Sequence, residues 1–429
     1  MPSALTHSAR VLILVLLAAC RTSPTPAPAA AAQEQPAPSP DPLIEGLTQL
    51  LQAQPHNGAA AYLLASIHAQ RAENAQAVRL LEQLVEQGWS FAPLDADFGA
   101  LATTPEYRAV ASRLASQEPQ VARSRTAFTL AERDLIPEGI AHDPATDTFF
   151  VSSIRKRKVV AVSRDGQVRD FTSEGQDGLW SVLGMKVDAA RRHLWVASFA
   201  GESLKRTHPE EVGHAGLFQY DLRSGALLRK YTQASPHTKH LFNDVAVSAS
   251  GDVFVTDSEA GAVRVLRSGA DALVALVPER TFSYPNGLVL SEDGARLYVA
   301  HFGGISLVDP KTGQLTPVQA PQETPLQGID GLSLYQGSLI AIQNGLGRGR
   351  VARFFFGADP ARVERLEVLE SGNRLFNDIP TTGTVAGDAF VYIANSQLQR
   401  LSPEGELPPL EQLTPPVLLQ VELGEKPGK

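Results

Sequence analysis

The residues of this chain best placed to do chemistry are the first letters of one short phrase that recurs six times between Ile136 and Ile379. The phrase is a polar or small residue, then Gly or Asp, then an aliphatic. Its copies are Glu138-Gly139-Ile140, Leu183-Gly184-Met185, Asn243-Asp244-Val245, Asn286-Gly287-Leu288, Asp330-Gly331-Leu332 and Asn377-Asp378-Ile379. In five copies the first residue carries an oxygen able to bind a metal. Brought together, Glu138, Asn243, Asn286, Asp330 and Asn377 would supply two carboxylates and up to three amide carbonyls, without sulfur or imidazole. Such a hard donor set, with a charge that balances a divalent ion, suits Ca2+ first, Mg2+ or Mn2+ next and Zn2+ least.

Something must gather these letters, and their spacing says what. The copies start 45, 60, 43, 44 and 47 residues apart, the length of a four-stranded propeller blade. Between them lie short alternating runs such as Thr148-Phe149-Phe150-Val151, Val253-Phe254-Val255 and Leu297-Tyr298-Val299, separated by Asp147-Thr148, Ser250-Gly251-Asp252, Glu292-Asp293-Gly294 and Gln336-Gly337 turns. Six copies predict an all-β six-bladed β-propeller over 126–423, closed by Phe128 to Leu130 pairing with strands from the C-terminal end. In that fold the innermost strand of each blade lines one central axis, so the first letters form a ring. The long interval predicts an insertion at Glu202 to His214, near a mouth of the propeller. Strand two of each blade returns to the same end, so Ser153, Ser198, Asp257, His301, Gln343 and Asn395 make a second, polar column there, as expected of a site for a small hydroxylated or ester ligand.

Ile136-Pro137-Glu138-Gly139, Phe242-Asn243-Asp244-Val245, Tyr284-Pro285-Asn286-Gly287-Leu288 and Gly328-Ile329-Asp330-Gly331-Leu332 stand in the order and blades that resemble the senescence-marker-protein, regucalcin and gluconolactonase family. Asn243 through Asp257 is the most family-like stretch, and the resemblance covers about 128 to 405. It implies a calcium held by Glu138, Asn243, Asn286 and Asp330, with Asn377 added from the repeat alone. A metal so held polarises a carbonyl or phosphoryl oxygen and orients an attacking water. Asp330 is the candidate base by resemblance; His301, which titrates near neutrality, is a second, and His240, three residues before Asn243, a third. Neither a Gly-x-Ser-x-Gly elbow nor a His-Glu-x-x-His pair nor a phosphate-binding glycine loop is present. Gly345-Leu346-Gly347-Arg348-Gly349-Arg350 reads as a flexible, solvated turn.

The propeller accounts for only part of the 429 residues. Residues 43–118 carry helical spacing, with Ile44, Leu47, Leu50 and Leu51 on one face and Val78, Leu81, Leu84 and Val85 on another. Asn74 is placed to cap the second set and Gly88 to end it. Pro55, Asn57, Leu64, Ala65 and Ala77 resemble the landmarks of one tetratricopeptide hairpin. A single repeat cannot bury its own face, so this small α-helical domain must lean on its flanks or on the propeller. Docking of a protein partner is its alternative role.

Ahead of it, Arg10 and the apolar run Val11 to Ala19 precede Cys20, the only cysteine, and Leu17-Ala18-Ala19-Cys20 resembles a bacterial lipobox. The run is too short to span a bilayer, so residues 1–19 read as a lipoprotein signal peptide and Cys20 as the lipidated residue. The Pro- and Ala-rich stretch 20–42 reads as a disordered tether, placing the folded part at a bacterial membrane facing the periplasm or cell exterior. A net charge of -8, with charged residues at 20%, gives no basic stripe of the kind nucleic acid demands. The expectation is a divalent-metal-dependent hydrolase of a lactone or related ester. The alternative is a non-catalytic lipoprotein that binds a partner or sugar around a structural calcium.

Overall fold

The structure, a computed structural model, describes residues 42–116, 118, 120–201, 207–321, 324–402 and 405–424. Cys20, the apolar run before it and the tether lie outside these residues. No helix among the described residues is long and apolar enough to cross a membrane.

Residues 125–424 form six four-stranded antiparallel sheets. The innermost strands are Ile140–Asp143, Ser181–Asp188, Phe242–Val247, Leu288–Leu290, Ile329–Tyr335 and Gly383–Ala386, one per blade. Runs rich in β-branched and aromatic residues, such as Thr148–Ser153, Val253–Asp257 and Leu297–His301, make the second strands, and Gly and Asp turns separate the strands. The predicted closure is present. Arg125–Thr129 is the outermost strand of blade six and pairs with Val417–Glu422, with Phe128 opposite Leu418. Pairing the propeller's first strand with its last, in one sheet, closes the ring. The core is a set of apolar clusters between consecutive blades, such as Phe150, Val196 and Phe218 between blades one and two.

The helical part contains α1 (Pro42–Ala53), α2 (Gly58–Gln70), α3 (Asn74–Glu86), the short α4 (Asp95–Phe98) and α5 (Pro105–Ser116). Asn57 caps α2, its side chain accepting the Ala60 amide at 3.0 Å. Asn74 does not cap α3. Glu73 takes that place, its carbonyl receiving the Gln76 and Ala77 amides, and Asn74 is the first residue of the helix. Gly88 ends the segment with a φ of 80°, a left-handed conformation suited to glycine. A few short helices therefore precede the propeller, as expected, and they do lean on it. Leu346 of blade five lies within the same apolar cluster as Tyr62, Leu81, Phe98 and Leu114, and Phe302 of blade four packs against two helical clusters. Asn57 donates to the Phe302 carbonyl and the Arg348 amide donates to the Ala92 carbonyl. The glycine-rich segment 345–350 is thus a docking element rather than a solvated turn. A Cβ on Gly347 would lie 2.1 Å from the Ala92 carbonyl oxygen, so only glycine admits this approach.

Candidate metal centre

Each copy of the phrase has a division of labour between its first and second letters. The second letter sets how closely consecutive blades approach at the axis. A Cβ on Gly139 would lie 2.0 Å from the Leu183 carbonyl oxygen, one on Gly184 2.5 Å from that of Asn243, and one on Gly287 2.5 Å from that of Asp330. In blade three the second letter is Asp244, which spends its carboxylate on backbone amides, Val245 at 2.8 Å and Leu288 at 3.2 Å, and so stitches blade three to blade four. These contacts fix the ring order as Glu138, Leu183, Asn243, Asn286 and Asp330.

The sixth place belongs to Thr381. A Cβ on Gly331 would meet Thr382 at 2.9 Å, and the Thr381 and Thr382 hydroxyls both donate to the Glu138 carbonyl, closing the circle back to blade one. Asn377, expected as a metal ligand, is outside the ring. It lies exposed in the 3-10 turn Arg374–Asp378, and its carbonyl accepts from Gln399. The reason is local. Ile379-Pro380-Thr381 repeats the geometry of Ile136-Pro137-Glu138 and Tyr284-Pro285-Asn286, with the residue before each proline at a φ of 62°, 47° and 52°. Non-glycine residues seldom adopt this conformation, least of all a β-branched isoleucine, and such outliers collect at functional sites. The proline shared by the three is the sequence signal that distinguishes the ring position from the look-alike four residues earlier.

The ring is charged on one side and short of hydrogen bonds. Glu138, Asn243 and Asp330 are buried. Glu138 Oε2 and Asn286 Oδ1 are enclosed with no hydrogen-bond partner. Asn243 donates to Ser258 Oγ at 3.0 Å, which leaves its amide oxygen to the ring. Asn344 donates to Asp330 Oδ2 at 2.6 Å. Burial pushes Asp330 up to about 7, with the Asn344 and Asn286 amides pulling the other way and Asp244 adding to the rise. Burial likewise drives Glu138 well above the usual carboxylate range, and the neighbouring Asp330 and Asp244 raise it further. Acceptor oxygens left unpaired in a buried site cost free energy unless a cation or donor meets them. Among the described residues no three His, Cys, Asp or Glu side chains gather as a metal site. The ring has two carboxylates, with amide oxygens as its remaining donors, and this mixture fits Ca2+ better than a softer ion.

The second column divides differently from expectation. The side chains of Ser153, Asp257 and Gln343 turn to the loops entering their own blades, Ser153 donating to Leu135, Gln343 to Pro325 and Gln327, and Asp257 accepting from Leu241, while Asn395 donates to Pro415 in the excursion within its own blade. Ser198 is fully buried, its hydroxyl without a partner. His301 is held on both nitrogens, accepting the Gly303 amide on Nδ1 and meeting Ser306 Oγ with Nε2, while its ring stacks on Phe282. Burial lowers it to about 4, and with both nitrogens engaged its side chain anchors its own loop. His240 joins Asp257 through Nδ1 at 2.8 Å; its Nε2 is buried without a partner. The residues that reach the ring stand one place further along: Ser258 touches Asn243 and Asn344 touches Asp330. Successive strand residues point to opposite faces, so a shift of one exchanges loop anchors for ring contacts.

Three additions surround this end of the channel. The excursion between strands two and three of blade two, its described part spanning 207–214, joins the entry to blade three through the His240 amide and Gly213 carbonyl. The corresponding excursion of blade six, 394–416, carries Leu398, Leu401 and Leu407. The helices dock on the equivalent loops of blades four and five. At the other end, the channel beneath the ring is lined by Met185, Lys186, Asp244, Ser333 and Thr384.

No family model matches the chain. It is 26% identical over 208 residues to YncE, an uncharacterized protein of Escherichia coli (strain K12); the match takes in 39% of this chain, which spans 55% of that relative's length. Solved structures are similar to this chain at low identity. A gluconolactonase of Xanthomonas campestris is 17% identical, with 71% of this chain and 87% of that one covered and a TM-score of 0.46. An aldose sugar dehydrogenase of Streptomyces coelicolor, in its PQQ-bound form, is 14% identical over 71% of this chain and 99% of its own, with a TM-score of 0.48. Virginiamycin B lyase of Staphylococcus aureus is 12% identical over 70% and 99%, with a TM-score of 0.47.

Proposed function

We propose that the protein is a divalent-metal-dependent hydrolase of lactones or related esters, acting at the ring end of the channel and held at a bacterial membrane by a lipid on Cys20. One observation carries the reading: Glu138 Oε2 and Asn286 Oδ1, both buried and both without a hydrogen-bond partner, stand in one ring with the raised carboxylate of Asp330. Glu138, Asn243, Asn286 and Asp330 would hold the ion, Ca2+ by donor type. Bound there, it would balance the two carboxylates and stabilise the oxyanion that develops as an ester carbonyl is attacked. Asp330 then serves as general base. Asn344 orients its carboxylate, and burial raises that carboxylate toward about 7. Burial around the ring excludes bulk water and strengthens each of these interactions.

The test is a panel of γ- and δ-lactones assayed with added Ca2+ and with chelator, on the wild type, Glu138→Gln and Asp330→Asn. Hydrolysis that requires the ion and falls at least a hundredfold in both variants is expected. Turnover indifferent to chelator and to both substitutions would sink the proposal.

A further inference from the structure

We infer that the part of the substrate that does not react is apolar, an alkyl or aryl group rather than a polyhydroxylated ring. The inference rests on the hydrolase reading for the reaction but on different residues for its content. In the ring of six, Leu183 lies three blades from Asp330, directly across the axis. It belongs to one apolar cluster with Ile136, Ile154, Leu241 and Leu401, against which Phe199, Leu398 and Leu407 pack while keeping part of their surface accessible. All come from the end of the propeller that carries the ring, and from blades one, two, three and six.

The polar groups at this end offer a polyol little. Ser258 donates to the Pro285 carbonyl and accepts from Asn243; Asn344 donates to Asp330 and to the Pro380 carbonyl; Ser396 accepts the Leu398 amide. Ser153, Gln343 and Asn395 bond to backbone in the loops, and Asp257 is held by the Leu241 amide, His240 and Arg264. At the Leu183 side the polar atoms left without a partner, Ser198 Oγ and His240 Nε2, are themselves fully buried, so a sugar lactone entering here would surrender most of its hydrogen bonds to water without replacements, which disfavours it. An alkyl chain entering along Phe199 and Leu407 would lose only its contact with water, which favours it. The carbonyl end of such a substrate meets the Asp330 side and the chain the Leu183 side, so the two halves of the mouth fix its orientation.

Calorimetric titration of the Ca2+-loaded protein with γ-lactams that carry no chain, butyl, hexyl and octyl chains, and with a polyhydroxylated lactam, reads the apolar wall without turnover. The matching lactones are assayed for hydrolysis alongside. Affinity should rise about two- to fourfold per methylene. Phe199→Ala and Leu183→Asn should each reduce that gain, and because they lie on different elements, one informative folded variant suffices. A flat series, or a polyhydroxylated lactam bound as tightly as the octyl compound, overturns the inference. Chain-length-dependent binding without hydrolysis of any lactone upholds it while refuting the hydrolase reading, and hydrolysis with a flat series does the reverse.

Discussion

Replacing Asp330 by Asn removes a buried negative charge while leaving an oxygen for Asn344 to donate to. Burial holds Asp330 at about 7, against 3.8 for the ordinary group. Between those values the folded protein keeps a proton that the unfolded chain has lost, so stability falls as pH rises through this window and stays lower above it. Three units correspond to about 4 kcal/mol; relaxation and water penetration reduce this, and about 2 kcal/mol is the working figure. For a propeller of about 300 residues that is a Tm about 3 °C higher for the variant. Thermal melts at one scan rate in chelator should show this gain at pH 8 and less than half of it at pH 5, where native Asp330 is already protonated. Adding Ca2+ should then raise the wild-type Tm and leave the variant nearly unmoved, because ligand binding stabilises only the state that binds. A variant that melts below the wild type in chelator at pH 8, or that gains as much from Ca2+, would show that the ring is not a charge-frustrated cation site.

Asn286→Ala should weaken Ca2+ binding at least tenfold in calorimetry, whereas Asn377→Ala should leave it unchanged; the opposite order would restore Asn377 to the ring. Leu346→Ala should cost about 2–5 kcal/mol in chemical denaturation, since the side chain sits in the helical cluster rather than in its own blade; a loss below about 1 kcal/mol would mean that the helices do not share a core with blade five. Arg192 grips Asp143 with two bonds, at 2.5 and 2.7 Å, and holds it down to about 2. That contribution is complete above the unfolded value of 3.8 and is lost as pH falls toward 2, so the urea-midpoint deficit of Arg192→Met should be full at pH 7 and shrink below pH 4. Gly139→Ala should abolish folding because its Cβ meets the Leu183 carbonyl, while Gly46→Ala, in the open on α1, should stabilise by about 0.5–1 kcal/mol.

The propeller could be read from the chain because each blade is a local unit. Its strands, turns and the phrase at its head are set by alternation and by Gly, Pro and Asp chemistry within some 45 residues. Six phrases therefore meant six blades, and the pairing of Phe128 with the C-terminal strand followed from the need to close the ring. The ring members Glu138, Asn243, Asn286 and Asp330 were legible for the same reason: their copies start the inner strands without irregularity, save for the bulges that the register of blades three and five shows beside Asn243 and Asp330.

What the chain alone left undetermined was every choice that depends on contacts between blades. Asn377 and Thr381 are four residues apart and equally near the head of blade six; only the Thr hydroxyls meeting the Glu138 carbonyl, more than 240 residues away, decide between them. Whether His301 or its neighbour faces the ring turns on strand parity, which a single residue reverses. The basic segment 345–350 became a docking loop because Leu346 finds a core that belongs to the helical segment ahead of the propeller. Sequence determined the blades and the letters they carry, since both are encoded within one repeat. Tertiary structure decided which letters share an axis, because that axis exists only when all six blades have closed around it.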